Sequence, residues 1–390
     1  MSATLSMLEA VVVGAIVLFS LRRLILLVAA LLPQRRVAPR GPLPSVTIVV
    51  PARNERAVAG RLLAALERLD FPDDQLSLVL VPDGCTDDTP TLLRAWAARR
   101  ERTRVIELPV SRGKAGALNR GLEVAISDLI VVLDADLAPT PDFLRELVRP
   151  FADERVGAAA AYLRPANAND NLVARYAAVT TWVHQLITSA GSDRLRLNPP
   201  TLGASAYRRV ALEQIGGFPM LPMGEDVATS DRLVHAGWQT RFVPTAVADN
   251  HVASNLRAFW RQHLRWSRSV RRNQVSRDVS GASFAQRLEL RAASIGYGDR
   301  LVFAIAMAGA IAQLFPAWVP LLYLAAPGLE IVAALSKARA GRRIPAFLLA
   351  AVAFFGVDLV ASVAAIAIHA SRRSLDWYNP RFQPMDAAVE

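Results

Sequence analysis

Long apolar runs sit near both ends of this chain, and a mixed polar stretch separates them. Near the N-terminus, LEAVVVGAIVLFSLRRLILLVAALL is long enough to cross a bilayer, which needs about 20 apolar residues. Near the C-terminus, residues 301–335 have room for two short helices and 344–370 for a third. One such run alone would pass for a buried core helix; three in one chain read as membrane helices. Arg22 and Arg23 interrupt the first run, so a kink or a partly interfacial helix is expected there. No basic segment precedes that run and no small-residue cleavage site follows it, which favours an uncleaved anchor over a signal peptide.

These runs divide the chain into an N-terminal membrane segment (1–34), a globular domain (45–255), an amphipathic interfacial stretch (256–298), about three further membrane helices (299–370) and a tail (371–390). PQRRVAPRG after the first run and KARAGRR (337–343) before the last are both basic. Basic loops face the cytoplasm, so the globular domain is expected on the cytoplasmic side of the plasma or inner membrane. The single Cys85 excludes an internal disulfide and fits a reducing compartment. A net charge of +11 points to anionic partners such as lipid headgroups, nucleotides or nucleic acid.

Within the globular stretch, SVTIVVPARNE (45–55), LSLVLVPDG (76–84), RVIELP (104–109) and DLIVVLDAD (128–136) read as strands. AVAGRLLAALERL, TPTLLRAWAARR and AGALNRGLEVAI between them have helical apolar spacing. The alternation predicts an α/β fold with a Rossmann-like parallel sheet, whose ligands bind at the carboxyl ends of the strands. Glu55, Asp83, Asp134 and Asp136 fall at those ends. The dinucleotide glycine fingerprint and the phosphate-loop motif are both missing, which excludes those two enzyme classes on motif grounds.

Three stretches carry chemistry. VVLDADLAP places Asp134 and Asp136 two apart at a strand end, hence on one side of it. Such a pair suits Mg²⁺ or Mn²⁺ sharing its shell with substrate phosphates, or is a pair of solvated turn acids. In PMGEDVATSDRL, Glu225 and Asp226 are either helix N-terminal acids or hold a general base. In LRAFWRQHLRWSRSVRRNQ, Arg257, Arg261, Arg265, Arg268 and Arg272 share one helical face, and Gln262 and Trp266 a neighbouring one. That helix suits anionic lipid, or less readily nucleic acid, given the membrane segments. Finally, the chain has only two lysines, and Lys114 lies between glycines in SRGKAGALNRG. A compact ammonium there, where arginine is otherwise the rule, is either an accidental surface lysine or a point charge in a narrow pocket that a guanidinium would crowd.

Taken in order, these stretches resemble membrane-integrated family-2 inverting glycosyltransferases of the cellulose synthase, hyaluronan synthase and ceramide glucosyltransferase type. VVPARNE, PDGCTDDT (with Pro82 in place of an Asp), KAGALNRGL, DAD, LGASAYRR with IGGFP, GED and QHLRW match that family's successive motifs through residues 45–275. The resemblance implies a GT-A domain held between membrane helices. It implies that Glu55, Asp83, Lys114, Asp134, Gln262, Arg265 and Trp266 bind a nucleotide-sugar, UDP-linked unless the change at 82 alters base contacts. It implies that Asp136 binds Mg²⁺ or Mn²⁺, that Gly203, Ser205 and Glu225 line the acceptor site, and that Asp226 is the base deprotonating the acceptor hydroxyl. Lys114 would then have Asp136 and Arg265 as neighbours near the diphosphate. The absence of a gating-loop sequence after QHLRW favours one sugar added to a lipid over processive polymerisation. A GDP-sugar donor, and an inactive membrane protein binding nucleotide-sugar or lipid, are the remaining readings. No nucleic-acid partner is expected.

Overall fold

The computed structural model describes residues 3–33, 42–221, 224–272, 283–294 and 298–370, with side chains undescribed at 3–4, 265–272, 290, 293–294 and 365–370. The basic loop 34–41, Pro222 and Met223 of the PMGEDVATSDRL stretch, residues 273–282 and 295–297 of the interfacial stretch, and the tail lie outside the described residues.

The globular part is built on one eight-stranded sheet of order β3-β2-β1-β4-β7-β6-β8-β5. The strands are β1 (Val46–Ala52), β2 (Leu76–Pro82), β3 (Thr103–Val105), β4 (Leu129–Leu133), β5 (Ala138–Pro139), β6 (Val156–Pro165), β7 (Ala204–Arg208) and β8 (Gln239–Asn250). The first four are parallel, as their sequence predicts. β7 then runs antiparallel to β4, so the complete sheet is mixed. Period-two alternation decides the two faces. Ile48, Val50, Leu78, Leu80, Val131 and Leu133 enter one core, and Val49, Val79, Val81, Ile130 and Val132 enter the other. β6 escapes sequence reading because VGAAAAYLRP is alanine-rich, a composition depleted in strands. Its alanines are fully buried where only small side chains fit between layers.

Helices fill both faces and the membrane side. They are α1 (Ala3–Leu31), α2 (Arg56–Leu66), α3 (Thr89–Ala97), α4 (Gly113–Val124), α5 (Phe143–Leu147), α6 (Leu172–Trp182), α7 (Ala190–Arg194), α8 (Arg209–Gln214), α9 (Glu225–His235), α10 (Leu256–Arg272), α11 (Phe284–Ser294), α12 (Gly298–Ile311), α13 (Trp318–Lys337) and α14 (Ile344–Ala370). Among the described residues, three helices, over 5–31, 318–337 and 341–364, are long and apolar enough to cross a membrane. The run 301–335 splits into two helices, α12 and α13, as its length allows. At 14 residues, α12 rises only about 21 Å, short of a bilayer core of about 30 Å, so it is not counted among the spans.

Arg22 and Arg23 do not break α1, which is continuous. Their charges are met by partners instead. Arg22 pairs with Glu289 of α11, and Arg23 pairs with Glu330 and, at 2.5 Å, with Asp299. Tyr323 Oη donates to the same Asp299 carboxylate at 3.0 Å.

A helical stretch at 172–194, placed by sequence within the globular domain, packs against α1, α13 and α14. Its middle, 183–189, is π-helical. Leu27, Ala160, Trp182, Ile187, Phe242, Leu335 and Phe347 form one apolar cluster there. The sheet and the membrane helices are therefore joined through shared core rather than a linker.

Candidate active site

The site lies where α4, the turn after β4 and the start of α9 meet, at the carboxyl ends of the parallel strands. The first departure from the sequence reading is at Asp134. β4 ends at Leu133, and residues 134–136 form a turn, closed by the Leu137 N–H donating to Asp134 O at 3.1 Å. The same-face argument for two strand residues therefore does not apply to Asp134 and Asp136; a turn places them. The Asp134 N–H donates to Gly203 O at 2.9 Å. At Gly203 any Cβ would collide with Asp134 Oδ2, so only glycine leaves that carboxylate its place.

Lys114 stands in the first turn of α4. Its ammonium lies 2.8 Å from Asp134 Oδ1 and 2.8 Å from Glu225 Oε1. The family pattern gives Lys114 Asp136 and Arg265 as neighbours; its ion pairs among the described residues are to Asp134 and Glu225, and the Arg265 side chain lies outside those residues. Burial works against the charge on Lys114, but Asp134, Glu225 and Asp226 outweigh it and hold its pKa well above the usual lysine value. One compact cation thus ties the DAD turn to the GED helix. A planar guanidinium fits such a three-way carboxylate junction less well.

Lys114 is delivered by a loop that Asp83 controls. Asp83 is buried, and Ser111 Oγ donates to its Oδ2 at 2.7 Å while the Arg112 N–H donates to its Oδ1 at 2.7 Å. Gly84 next to it has φ +58°, and a Cβ there would strike Ser111 backbone atoms. Both Asp83 oxygens are therefore engaged within the protein. Asn119, about one and a half helical turns beyond Lys114, holds the following motif: its amide donates to Phe218 O and its Oδ1 accepts from the Phe218 N–H, both at 2.8 Å. That exchange ties KAGALN to IGGFP, whose chain leads directly to Glu225 and Asp226.

Asp226 is in the first turn of α9, where acids complement the helix dipole. Burial first, then the Glu225 charge, push its carboxyl up to about 7; Lys114 and the Val227 N–H act in the opposite direction. A carboxyl titrating near neutrality suits a general base. A hydroxyl network fixes the helix that carries it. Thr201 Oγ1 donates to Asp226 O at 2.9 Å, Ser230 Oγ donates to the same oxygen at 3.0 Å, and Tyr207 Oη donates to Thr201 Oγ1 at 2.9 Å. As isolated hydroxyl residues, Thr201, Tyr207 and Ser230 carry no spacing signal that assigns them this role, although Tyr207 and Ser230 lie inside the LGASAYRR and PMGEDVATSDRL stretches.

The remaining expected residues divide. Glu55 caps the start of α2, and its N–H donates to Thr89 Oγ1 at 2.8 Å. Asn54 Oδ1 accepts from the Thr86 N–H at 2.8 Å, so the loops after β1 and β2 are cross-linked into one rim. Asp136 is on the turn described above, and Arg61 of α2 donates to its carbonyl. Ser205, expected at the acceptor, is fully buried, and its hydroxyl is paired to Leu202 N and O at 2.9 and 2.8 Å. Those bonds fix the turn that carries Gly203. Gln262 lies on α10, which packs against α6 and α14 through Ala258, Phe259, His263 and Leu264, leaving Arg257 exposed. The side chains of Arg265 and Trp266 lie outside the described residues.

For a divalent ion, Asp134 and Asp136 on one turn are the available donors. Among the described residues no group of three metal-ligating side chains stands ready. That fits an ion that takes one or two carboxylates and completes its shell with substrate phosphates.

Residues 44–269 match the model of the family described as "Glycosyltransferase like family 2". The chain is 30% identical over 231 residues to a probable glycosyltransferase, YdaM, of Bacillus subtilis, covering 58% of this chain and 55% of that one. It is 32% identical over 237 residues to a beta-monoglucosyldiacylglycerol synthase of Nostoc, covering 58% and 49%. The chain thus spans about half the length of these curated relatives. A mannosyltransferase from Pyrobaculum calidifontis, solved with GDP-Man and Mn²⁺, superposes with a TM-score of 0.63 at 24% identity, over 95% of this chain and 99% of that one. Ordered motifs, a mixed sheet with the acidic turn at its strand ends and a family match over more than half of its length together make this chain a member of glycosyltransferase family 2, with a GT-A fold carried on membrane-capable helices.

Proposed function

We propose that the chain is a membrane-bound inverting glycosyltransferase that moves one sugar from a nucleotide-sugar to a hydroxyl of a lipid. The observation that carries this reading is the Lys114 junction, which brings the acidic turn and the base candidate Asp226 together. Asp226 takes the proton of the acceptor hydroxyl. The hydroxyl oxygen bonds to the anomeric carbon as the bond from that carbon to the diphosphate breaks, and the nucleoside diphosphate leaves with the electron pair. Inversion follows from this single displacement, with no enzyme nucleophile. Lys114 at the start of α4 meets the charge that develops on the leaving diphosphate. A divalent ion held by Asp136 would neutralise part of the same charge. Gln262, Arg265 and Trp266 are proposed to contact the donor from α10, and Glu55 the nucleoside from the opposite rim.

A lipid acceptor is favoured because the sheet shares its apolar core with the membrane helices and because relatives are named beta-monoglucosyldiacylglycerol synthases. The basic 337–343 hairpin lines a cavity together with Arg164 and Pro244 of the globular domain, which supports a cytoplasmic side for both by the charge rule.

The test is release of UDP or GDP by the purified full chain with membrane lipid extract, screened over UDP- and GDP-sugars with Mg²⁺ or Mn²⁺. The GDP arm is warranted by the fold relative solved with GDP-Man. One glycolipid product is expected, with Asp226→Asn abolishing transfer while nucleotide still binds. A polymeric product would overturn single-sugar transfer, and normal transfer by Asp226→Asn would overturn the base.

A further inference from the structure

A cavity of about 740 Å³ opens where the sheet meets the loop joining α13 to α14. Tyr162, Arg164 and Pro244 form its sheet side, Trp182 and Phe347 its wall, and Lys337, Arg339, Arg342 and Arg343 its rim. The spans 318–337 and 341–364 end and begin at this loop, so its cations stand at the level of the headgroups.

Two features separate this rim from ordinary surface arginines. Arg164 is neutralised by Asp249 at 2.6 Å, but Lys337, Arg339, Arg342 and Arg343 have no ion-pair partner among the described residues. The loop also places a charge where glycine is the default. The Ala340 N–H donates to Leu335 O and the Arg339 N–H to Ser336 O, both at 3.0 Å, which is a Schellman closure of α13. Its left-handed position, at φ 56°, is Arg339. A non-glycine residue there is strained by about 1–2 kcal/mol, so the hairpin keeps an arginine at the rim against local preference. Behind the cations, the Trp182 and Phe347 rings meet edge to face at 5.0 Å, the aromatic lining found at membrane interfaces.

We propose that this cavity is a headgroup site for an anionic phospholipid, with the phosphate held by Lys337, Arg339, Arg342 and Arg343 and the acyl chains beside α13 and α14. Basic pockets between membrane helices recognise such headgroups through charge. The site is separate from the carboxylate junction, and its test reads lipid binding, so it stands or falls independently of the transfer reaction.

The experiment is native mass spectrometry of the delipidated full chain titrated with phosphatidylglycerol or phosphatidylcholine. Saturable binding of phosphatidylglycerol at least tenfold tighter than phosphatidylcholine is expected. Arg339→Gly should weaken it about fivefold while melting no lower than the parent, because glycine relieves the left-handed position. Arg339→Gln/Arg342→Gln/Arg343→Gln should weaken it more than tenfold. Equal affinity for the two lipids, or unchanged affinity in Arg339→Gly, overturns the proposal. Displacement of the lipid by equimolar inorganic phosphate would reassign the cavity to a soluble phosphate and overturn the lipid assignment.

Discussion

Replacing Glu225 by Gln should move the acid limb of the pH–rate profile down by about one pH unit. The Asp226 carboxyl is held at about 7, against an ordinary 3.8. That difference of about 3 units corresponds to about 4 kcal/mol. Burial is the largest cause, and the neighbouring Glu225 charge is the second. A like charge at close range moves a carboxyl by about 1–3 units. The lower end applies here, because the Lys114 ammonium sits 2.8 Å from Glu225 and cancels part of its field. Gln keeps the volume and the burial, so the carboxyl stays well above 4. The assay is nucleoside diphosphate release, as kcat/KM from pH 5 to 9. Half-maximal activity is expected near pH 7 in the parent and near 6 in Glu225→Gln. A limb that stays put, or rises, would refute the electrostatic account. A second readout needs no activity. Below about pH 4 Asp226 is protonated both folded and unfolded; between about 4 and 7 only the folded state keeps the proton, so this group's contribution to stability falls as pH rises through that window. Asn cannot ionise, so the melting advantage of Asp226→Asn over the parent should grow from pH 5 to 7.5, and a constant difference would sink the idea.

Lys114→Arg keeps the charge but not the point geometry between Asp134 and Glu225 at 2.8 Å each; a turnover loss of about tenfold or more is expected, since bidentate and compact cations are not interchangeable, and parental kinetics would show that shape is irrelevant. Gly203→Ala puts a methyl against Asp134 Oδ2; titration of nucleotide by calorimetry should show weakened donor binding with the fold intact by circular dichroism, and unchanged affinity would remove Asp134 from the donor site. Arg23→Leu strands the buried Asp299 and Glu330; a loss of about 3–5 kcal/mol is expected for breaking such a pair, read as a lower melting temperature in detergent, and the triple change Arg23→Leu/Asp299→Leu/Glu330→Leu should recover most of it.

Much of this architecture was legible because period and length are strong signals. The four parallel strands announce themselves as β-branched runs ending in polar loops, and the membrane helices by apolar length. What stayed hidden was decided by tertiary context. β6 is alanine-rich because two layers leave no room for more, and β8 is read only once β6 is in place beside it. The 172–194 stretch looks like an ordinary globular helix, yet its buried face is apolar because membrane helices cover it. Arg22 and Arg23 looked like an interruption because their partners lie more than 260 residues away, at Glu289, Asp299 and Glu330.

The site shows the same division more sharply. Motif order located Asp83, Lys114, Asp134, Glu225 and Asp226, but a motif says which residues gather and not what each one touches. Asp83 faces inward onto the Ser111–Arg112 loop, so its first effect is on where Lys114 stands. Asn119 binds the loop that leads to Asp226, so this motif asparagine is engaged within the protein. Ser205 is engaged with Leu202, whereas Thr201, four residues earlier and outside the motif, supports the base helix. The rarity of lysine was the one compositional clue that pointed at geometry. A chain that writes arginine wherever charge alone suffices keeps a lysine where one small cation must lie equally close to two carboxylates and leave room in front of them.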